Sequence, residues 1–441
     1  MKTGSPFKTF TLPKVVSSLL PNGLKVHAVL KPGLPLVSIH LIYPYGAEAD
    51  PPGKAGLSDL MAEMLTLGTQ KRSAAQLAAD VDGLGATLSA HSGWDSTSLY
   101  ISGLGEDWEK LMELLLEIHT QPAFLLPEFE QLKQRRIAAL VQQKDESQVI
   151  ADERFQEILF QGTPYDHPVY GNLDTLPSLS GEEVEEFYRS RFSPEGCFLV
   201  VVGDFKVEAC CRWIETHFPS ITRGHEAKAG EFSPVSLSSI KTIIIDRPDL
   251  TQSQIRLGHI GIPHAHPDYL AFEVMNYVLG AGGFSSRLMQ KIRSERGYTY
   301  GIRASLEGRK KPGPFIVSTF TPTETTFPCV QEILAVERSF VAQGATDQER
   351  TEAINFLTGS YPMRFETLSQ IAQKIIQTEV NGLGLEYLSA YPERVSAITL
   401  EAMARSAREH LHIEKMLVVI VGRAGKFRQE FEPLGPVEIR E

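Results

Sequence analysis

At 441 residues the chain is too long for one ordinary hydrophobic core, and length alone predicts two to three domains. Hydrophobic residues at 42% and charged residues at 22% are the proportions of a soluble globular protein, and a net charge of −11 argues against nucleic acid or an anionic membrane as partner. No run of about 18 apolar residues is present to span a bilayer, and the first eight residues lack the apolar core of a secretory signal.

In chain order, residues 24–30 and 37–43 read as strands. Residues 56–69 then form a helix with Leu57, Leu60, Met61, Met64 and Leu65 on a core face, followed by Gly68 and Thr69. Asp59 and Glu63 lie one turn apart on the other face. They read as a solvated acidic surface or, alternatively, as a site for a hard cation such as Ca²⁺ or Mg²⁺. His91 and His167 read as loop or fold residues. A Ser-capped helix over 176–188 leads into an apolar run ending at Gly203, and 219 residues later a Thr-capped helix leads into an equivalent run ending at Gly422. The constant offset indicates two duplicated α+β domains, 1–220 and 235–441, joined by a polar linker at 220–234. The four cysteines, Cys197, Cys210, Cys211 and Cys329, lack C-x-x-C spacing and read as free or buried thiols, so a cytoplasmic location is expected.

The second half opens with strands at 242–246 and 253–259. His264, His266 and Asp268 follow in a Pro-bounded loop, as loop residues or, less simply, as metal ligands. The run Gly280-Ala-Gly-Gly-Phe-Ser-Ser-Arg-Leu-Met-Gln-Lys-Ile-Arg-Ser-Glu-Arg-Gly-Tyr-Thr-Tyr-Gly301 reads as a glycine entry, a helix over 284–296, and a strand over 298–306.

That run resembles the second-domain signature of the pitrilysin (insulinase) family of zinc peptidases, G-G-G-F-S-S-R-L-x-x-x-L-R-E-x-x-G-L-A-Y-S. Residues 282–300 follow it, with Ile292 for Leu, Ser294 for Glu, Tyr298 for Leu and Thr299 for Ala. The resemblance implies that Arg293 and Tyr300 reach toward a zinc site, where guanidinium and phenol hold the substrate carbonyl and developing oxyanion. Tyr298 is the rival phenol. Gly282 and Gly283 occupy a loop that handles substrate in related processing peptidases, or simply permits a tight turn.

Residues 56–69 align without gaps to the family's first-domain motif, G-L-A-H-F-L-E-H-M-x-F-x-G-T. Asp59 and Glu63 stand where the family has histidine ligands, Ala62 where it has the glutamate that activates water, and Ala139 near its third ligand. No metal or other cofactor is therefore expected at this place in the chain. Residues 88–100 match the family's edge strand, where peptides add as an extra strand. Ser89 and Ala90 are thus candidate substrate contacts, although Ser89 replaces the usual Asn.

The resemblance implies a fold of two homologous α+β domains, each a mixed, mainly antiparallel sheet packed with helices, arranged as half of a clamshell. It also implies the non-zinc subunit of a heterodimeric peptidase, similar to bacterial pairs and to mitochondrial processing peptidase subunits. The expected partner is a homologous H-x-x-E-H subunit carrying zinc, and the expected substrates are peptides. The alternative is an inactive peptide-binding or assembly subunit similar to the core proteins of respiratory complexes. No nucleophile elbow, P-loop or dinucleotide fingerprint supports another chemistry.

Overall fold

The computed structural model describes residues 12–21, 23–191, 196–218 and 232–440. Two compact units result. Among the described residues the first draws on Met1–Leu140, Val169–Gly230 and Ser360–Ser389, and the second on Val141–Pro168, Glu231–Gly359 and Ala390–Glu441. Each unit draws on both of the expected halves, 1–220 and 235–441. The first unit includes a helix from the second half of the sequence, Leu368–Val380, which packs on its sheet. The second includes Ser147–Leu159 from the first half. The expected linker at 220–234 lies, through residue 231, outside the described residues, as do the first eight residues.

The first unit is a six-stranded sheet of β1 (Val15–Leu19), β2 (Lys25–Leu30), β3 (Leu36–Tyr43), β4 (Thr87–Ser92), β5 (Thr97–Leu104) and β6 (Phe198–Gly203), in the order β1-β2-β6-β3-β5-β4. Only β2 and β6 run parallel. The second unit holds β7 (Lys241–Asp246), β8 (Gln252–Ile260), β9 (Ile302–Leu306), β10 (Pro314–Pro322), β11 (Leu417–Gly422) and β12 (Val437–Arg440), in the order β12-β7-β11-β8-β10-β9. Here β7 runs parallel to both β11 and β12. Each unit is therefore the mixed α+β sheet that the sequence implied.

The duplication is visible in single residues. β6 and β11 begin 219 residues apart, and every residue of both is buried, as Val-rich strands covered on two faces must be. The helices before them, Gly181–Arg191 and Leu400–His410, keep the same offset. Ser180 caps the first by accepting from the Glu183 amide at 3.2 Å while the Glu183 carboxylate accepts from the Ser180 amide at 2.9 Å. Thr399 caps the second by accepting from the Ala402 amide at 3.1 Å.

Two local expectations change. The helix expected over 56–69 is short, Leu57–Met64, with 8 residues. The single helix expected over 284–296 is a 3₁₀ turn, Gly283–Ser285, followed by a wide π-type segment, Met289–Glu295. Residues 298–301 form a loop, so the strand starts at Ile302. Among the described residues, no helix is long and apolar enough to cross a membrane. All four cysteines are free thiols.

Candidate functional site

Helix Leu57–Met64 is set by its N-terminus. The Asp50 carboxylate accepts from the amides of Gly56 at 2.9 Å and Ser58 at 2.8 Å, filling two of the donors that a helix start leaves open. Gly56 sits at φ +92°, and a Cβ there would meet the Gly171 backbone at 2.9 Å, so glycine is required twice over. The helix is buried nearly all round, with only Glu63 reaching partial exposure. Asp59 is 1% exposed and Ala62 0%, so Asp59 does not lie on a solvated acidic face.

What permits a buried aspartate is Arg136, one turn before Ala139 on helix Leu126–Gln143. Its guanidinium donates to Asp59 Oδ2 at 2.5 Å and to Glu63 Oε1 through the same nitrogen. The guanidinium also stacks 4.9 Å from the centre of the Tyr170 ring. Burial pushes the Asp59 carboxyl up to about 7, with Arg136 pulling it down and Glu63 adding to the rise. Ala139 is exposed on the same helix.

Zinc does not fit here. Neither Asp59 nor Glu63 offers the imidazole or thiolate that zinc sites favour, Ala62 cannot take a proton, and a fixed cation already sits on both carboxylates. The same cation opposes Ca²⁺ or Mg²⁺. Sequence reasoning missed Arg136. The available signal was the basic pair Arg135-Arg136 one turn from the expected third-ligand position.

β4 lies at the sheet edge and pairs only with β5 among the described strands, as the resemblance implied for the segment. Ser89 is exposed on it and Ala90 buried. His91 is exposed on the same strand, and His167 has its Nδ1 3.2 Å from the Pro168 carbonyl.

In the second unit Gly282 and Gly283 form the turn that starts the motif. Gly283 has φ +59°, and a Cβ on Gly282 would meet the Tyr277 carbonyl oxygen at 2.6 Å, so both glycines serve the turn itself. Three arginines of the motif then have different fates. Arg287 is fixed, with Nε and Nη2 each 2.7 Å from a Glu349 carboxylate oxygen and a further bond to the Gly344 carbonyl at 2.8 Å. Arg296 pairs with Glu332. Arg293 makes no ion pair among the described residues, and its guanidinium lies 4.6 Å from the centre of the Phe284 ring, itself 69% exposed.

The loop 298–301 is pinned from beneath. The Thr321 hydroxyl donates to the Tyr298 carbonyl at 2.7 Å, and the Thr319 hydroxyl to the Gly301 carbonyl at 2.9 Å. Thr299 is buried and closes the turn on Gly301. Tyr298 is half-buried, whereas Tyr300 is 80% exposed and its hydroxyl has no hydrogen-bond partner among the described residues. Tyr300 rather than Tyr298 is thus the displayed phenol. Arg293 and Tyr300 are both presented, without a direct bond between them among the described residues.

Two six-stranded α+β units related by duplication, one with a metal motif overwritten and the other with an Arg/Tyr motif on display, define a class of protein. Residues 26–172 match the family model described as insulinase (peptidase family M16), and residues 178–357 match the one described as peptidase M16 inactive domain. The chain belongs to peptidase family M16. It is similar to the non-peptidase homolog YmxG of Helicobacter pylori, at 24% identity over 89% of this chain and 90% of that one. It is also similar to an uncharacterized zinc protease of Rickettsia bellii, at 26% identity over 76% of this chain and 79% of the relative. Among solved structures, a peptidase M16 inactive domain from Pseudomonas fluorescens shares the fold with a TM-score of 0.86, at 23% identity, covering 93% of this chain and 98% of that one. A protease from Helicobacter pylori shares it at the same TM-score and 19% identity, covering 93% of this chain and 100% of that one.

Proposed function

We propose that this chain is the metal-free subunit of a heterodimeric M16 peptidase, contributing Arg293 and Tyr300 to peptide hydrolysis at the zinc site of an H-x-x-E-H homologue. The observation that carries the reading is a contrast within one chain. The metal position is overwritten by Arg136, Asp59 and Ala62, while Arg293 and Tyr300 stay presented and unpaired among the described residues. Arg293, stacked on Phe284 without an ion pair among the described residues, and the 80% exposed Tyr300 are the two side chains of the motif left available as donors. In this role both side chains donate hydrogen bonds to the substrate carbonyl, and more strongly as its oxygen gains charge. The edge of β4, with Ser89 and Ala90, is where an extended peptide would add. Free thiols fit work in the cytoplasm.

A second reading, an inactive peptide-binding or assembly subunit, is favoured by the relative described as a non-peptidase homolog. Mixing this chain with an H-x-x-E-H homologue and following cleavage of quenched fluorescent peptides separates the two. Turnover lost in Arg293→Ala and Tyr300→Phe supports the first, and unchanged turnover in a verified complex supports the second.

A further inference from the structure

The loop that carries His264, His266 and Asp268 meets the last turn of helix Leu400–His410 in the second unit. His264 is taken up by the fold, stacked on Tyr269 with ring centres 4.3 Å apart. His266 and Asp268 instead gather with His410, which comes from 142 residues further along the chain. One ligand atom from each of the three lies within 4.8 Å of the others, and all three residues are partly accessible to solvent. His410 Nε2 is 3.0 Å from Asp268 Oδ2, and the His266 and His410 rings stand edge to face with centres 5.0 Å apart.

We propose that His266, Asp268 and His410 form a binding site for a divalent transition-metal ion of the zinc type. Metal–ligand bonds of about 2.0–2.2 Å place neighbouring donors of a tetrahedral ion about 3.3–3.5 Å apart. The Asp268–His410 separation of 3.0 Å is therefore close to the edge of such a tetrahedron, with a proton now where the ion would sit. Two imidazoles and one carboxylate are a donor set suited to zinc, cobalt or nickel and leave a further position open to water. The second layer is also built. Arg405 donates to Asp268 Oδ1 at 3.0 Å, which leaves Oδ2 turned toward His410. Asp268 is held below the usual carboxylate range, first by the His410 hydrogen bond and then by Arg405, so it is an anion at neutral pH.

Ligation displaces the His410–Asp268 hydrogen bond, and it has a second visible cost. The Asp268 amide donates to His266 Nδ1 at 3.1 Å. If Nδ1 takes the ion, that bond is displaced. If Nε2 takes it, the ring proton must move to Nδ1 and the bond is lost as well. The site is thus expected to bind reversibly, unlike a closed structural zinc centre. It is independent of the overwritten motif at Asp59 and Glu63, and it stands whether or not the chain serves a peptidase.

The test is titration of the untagged full chain with Co²⁺, read by its visible absorption, followed by displacement with Zn²⁺. One equivalent of Co²⁺ with a tetrahedral spectrum is expected. His266→Ala and His410→Ala should each weaken binding by about tenfold or more, and a Glu63→Gln variant should bind as the parent does. As a readout that needs no variant, Zn²⁺ should protect His266 and His410 from diethylpyrocarbonate. No Co²⁺ uptake, uptake unaffected by both histidine substitutions, uptake lost in Glu63→Gln, or histidines modified equally with and without Zn²⁺ would each overturn the proposal.

Discussion

Arg136 brings a positive charge to a place where two carboxylates on one helix turn would otherwise repel each other inside the protein. The Asp59 side chain is only 2% exposed, so removing its partner leaves a buried carboxyl that must stay charged without compensation or take up a proton. Arg136→Ala should therefore cost about 3–5 kcal/mol in urea unfolding. Adding Asp59→Asn should recover much of that loss, because the uncompensated charge is gone. A loss below about 0.5 kcal/mol in the single variant would mean the pair is only a surface ion pair. The pairing itself was not legible from the sequence, because Asp59 and Arg136 lie 77 positions apart and helical periodicity assigns Asp59 to the outer face. What periodicity cannot show is that this short helix is covered on nearly every side.

Glu337 makes a different prediction. It is 0% exposed, neither carboxylate oxygen has a hydrogen-bond partner among the described residues, and burial pushes its carboxyl up to about 8. The folded state thus holds this proton more tightly than the unfolded chain, whose value is near 4.5. Its contribution is fully present below that pH and lost as pH rises toward 8, then constant. Between those limits the slope is at most about 1.4 kcal/mol per pH unit. Glu337→Gln should remove that slope when unfolding free energies are compared from pH 5 to 9, and an unaltered pH profile would contradict the assignment.

At the scale of elements, the strands were the legible part. β2, β3, β7 and β8 fall where apolar, β-branched runs placed them, and β6 and β11 keep the 219-residue offset through their full lengths. Local pattern defines a strand, but it does not say which sheet a helix will cover. Ser147–Leu159 and Leu368–Val380 each pack in the unit opposite to their half of the sequence. Arg256 shows the consequence: it is 3% exposed on β8, and its guanidinium holds Asp152 of Ser147–Leu159 through two bonds. Residues 235–441 expressed alone would lose that helix and expose a sheet face with Arg256 unpaired. They should lack a cooperative thermal transition by circular dichroism, whereas supplying residues 1–234 in the same cell should restore one. A cooperative transition in 235–441 alone would show that the borrowed helix is dispensable. The motif helix was misread for a related reason: Gly283 and Gly297, at φ +59° and +66°, bound a segment that winds more widely than an α-helix.

At the scale of the molecule, two copies of one fold carry different residues at the places the resemblance singles out. The first unit has exchanged its metal position for an internal ion pair, and the second presents Arg293 and Tyr300. The sequence displayed both halves of this contrast, since the missing H-x-x-E-H and the intact Arg/Tyr run are local strings. It could not show that Tyr300 is exposed and Tyr298 half-buried, because that depends on Thr319 and Thr321 holding the loop from the next strand. The most direct measurement is peptide turnover by an H-x-x-E-H homologue with and without this chain. Turnover is expected only from the mixture, abolished by a chelator and reduced about 10²–10³-fold by Arg293→Ala or Tyr300→Phe in a complex that still assembles. Turnover unchanged by both substitutions, or chelator-sensitive hydrolysis by this chain alone, would contradict it.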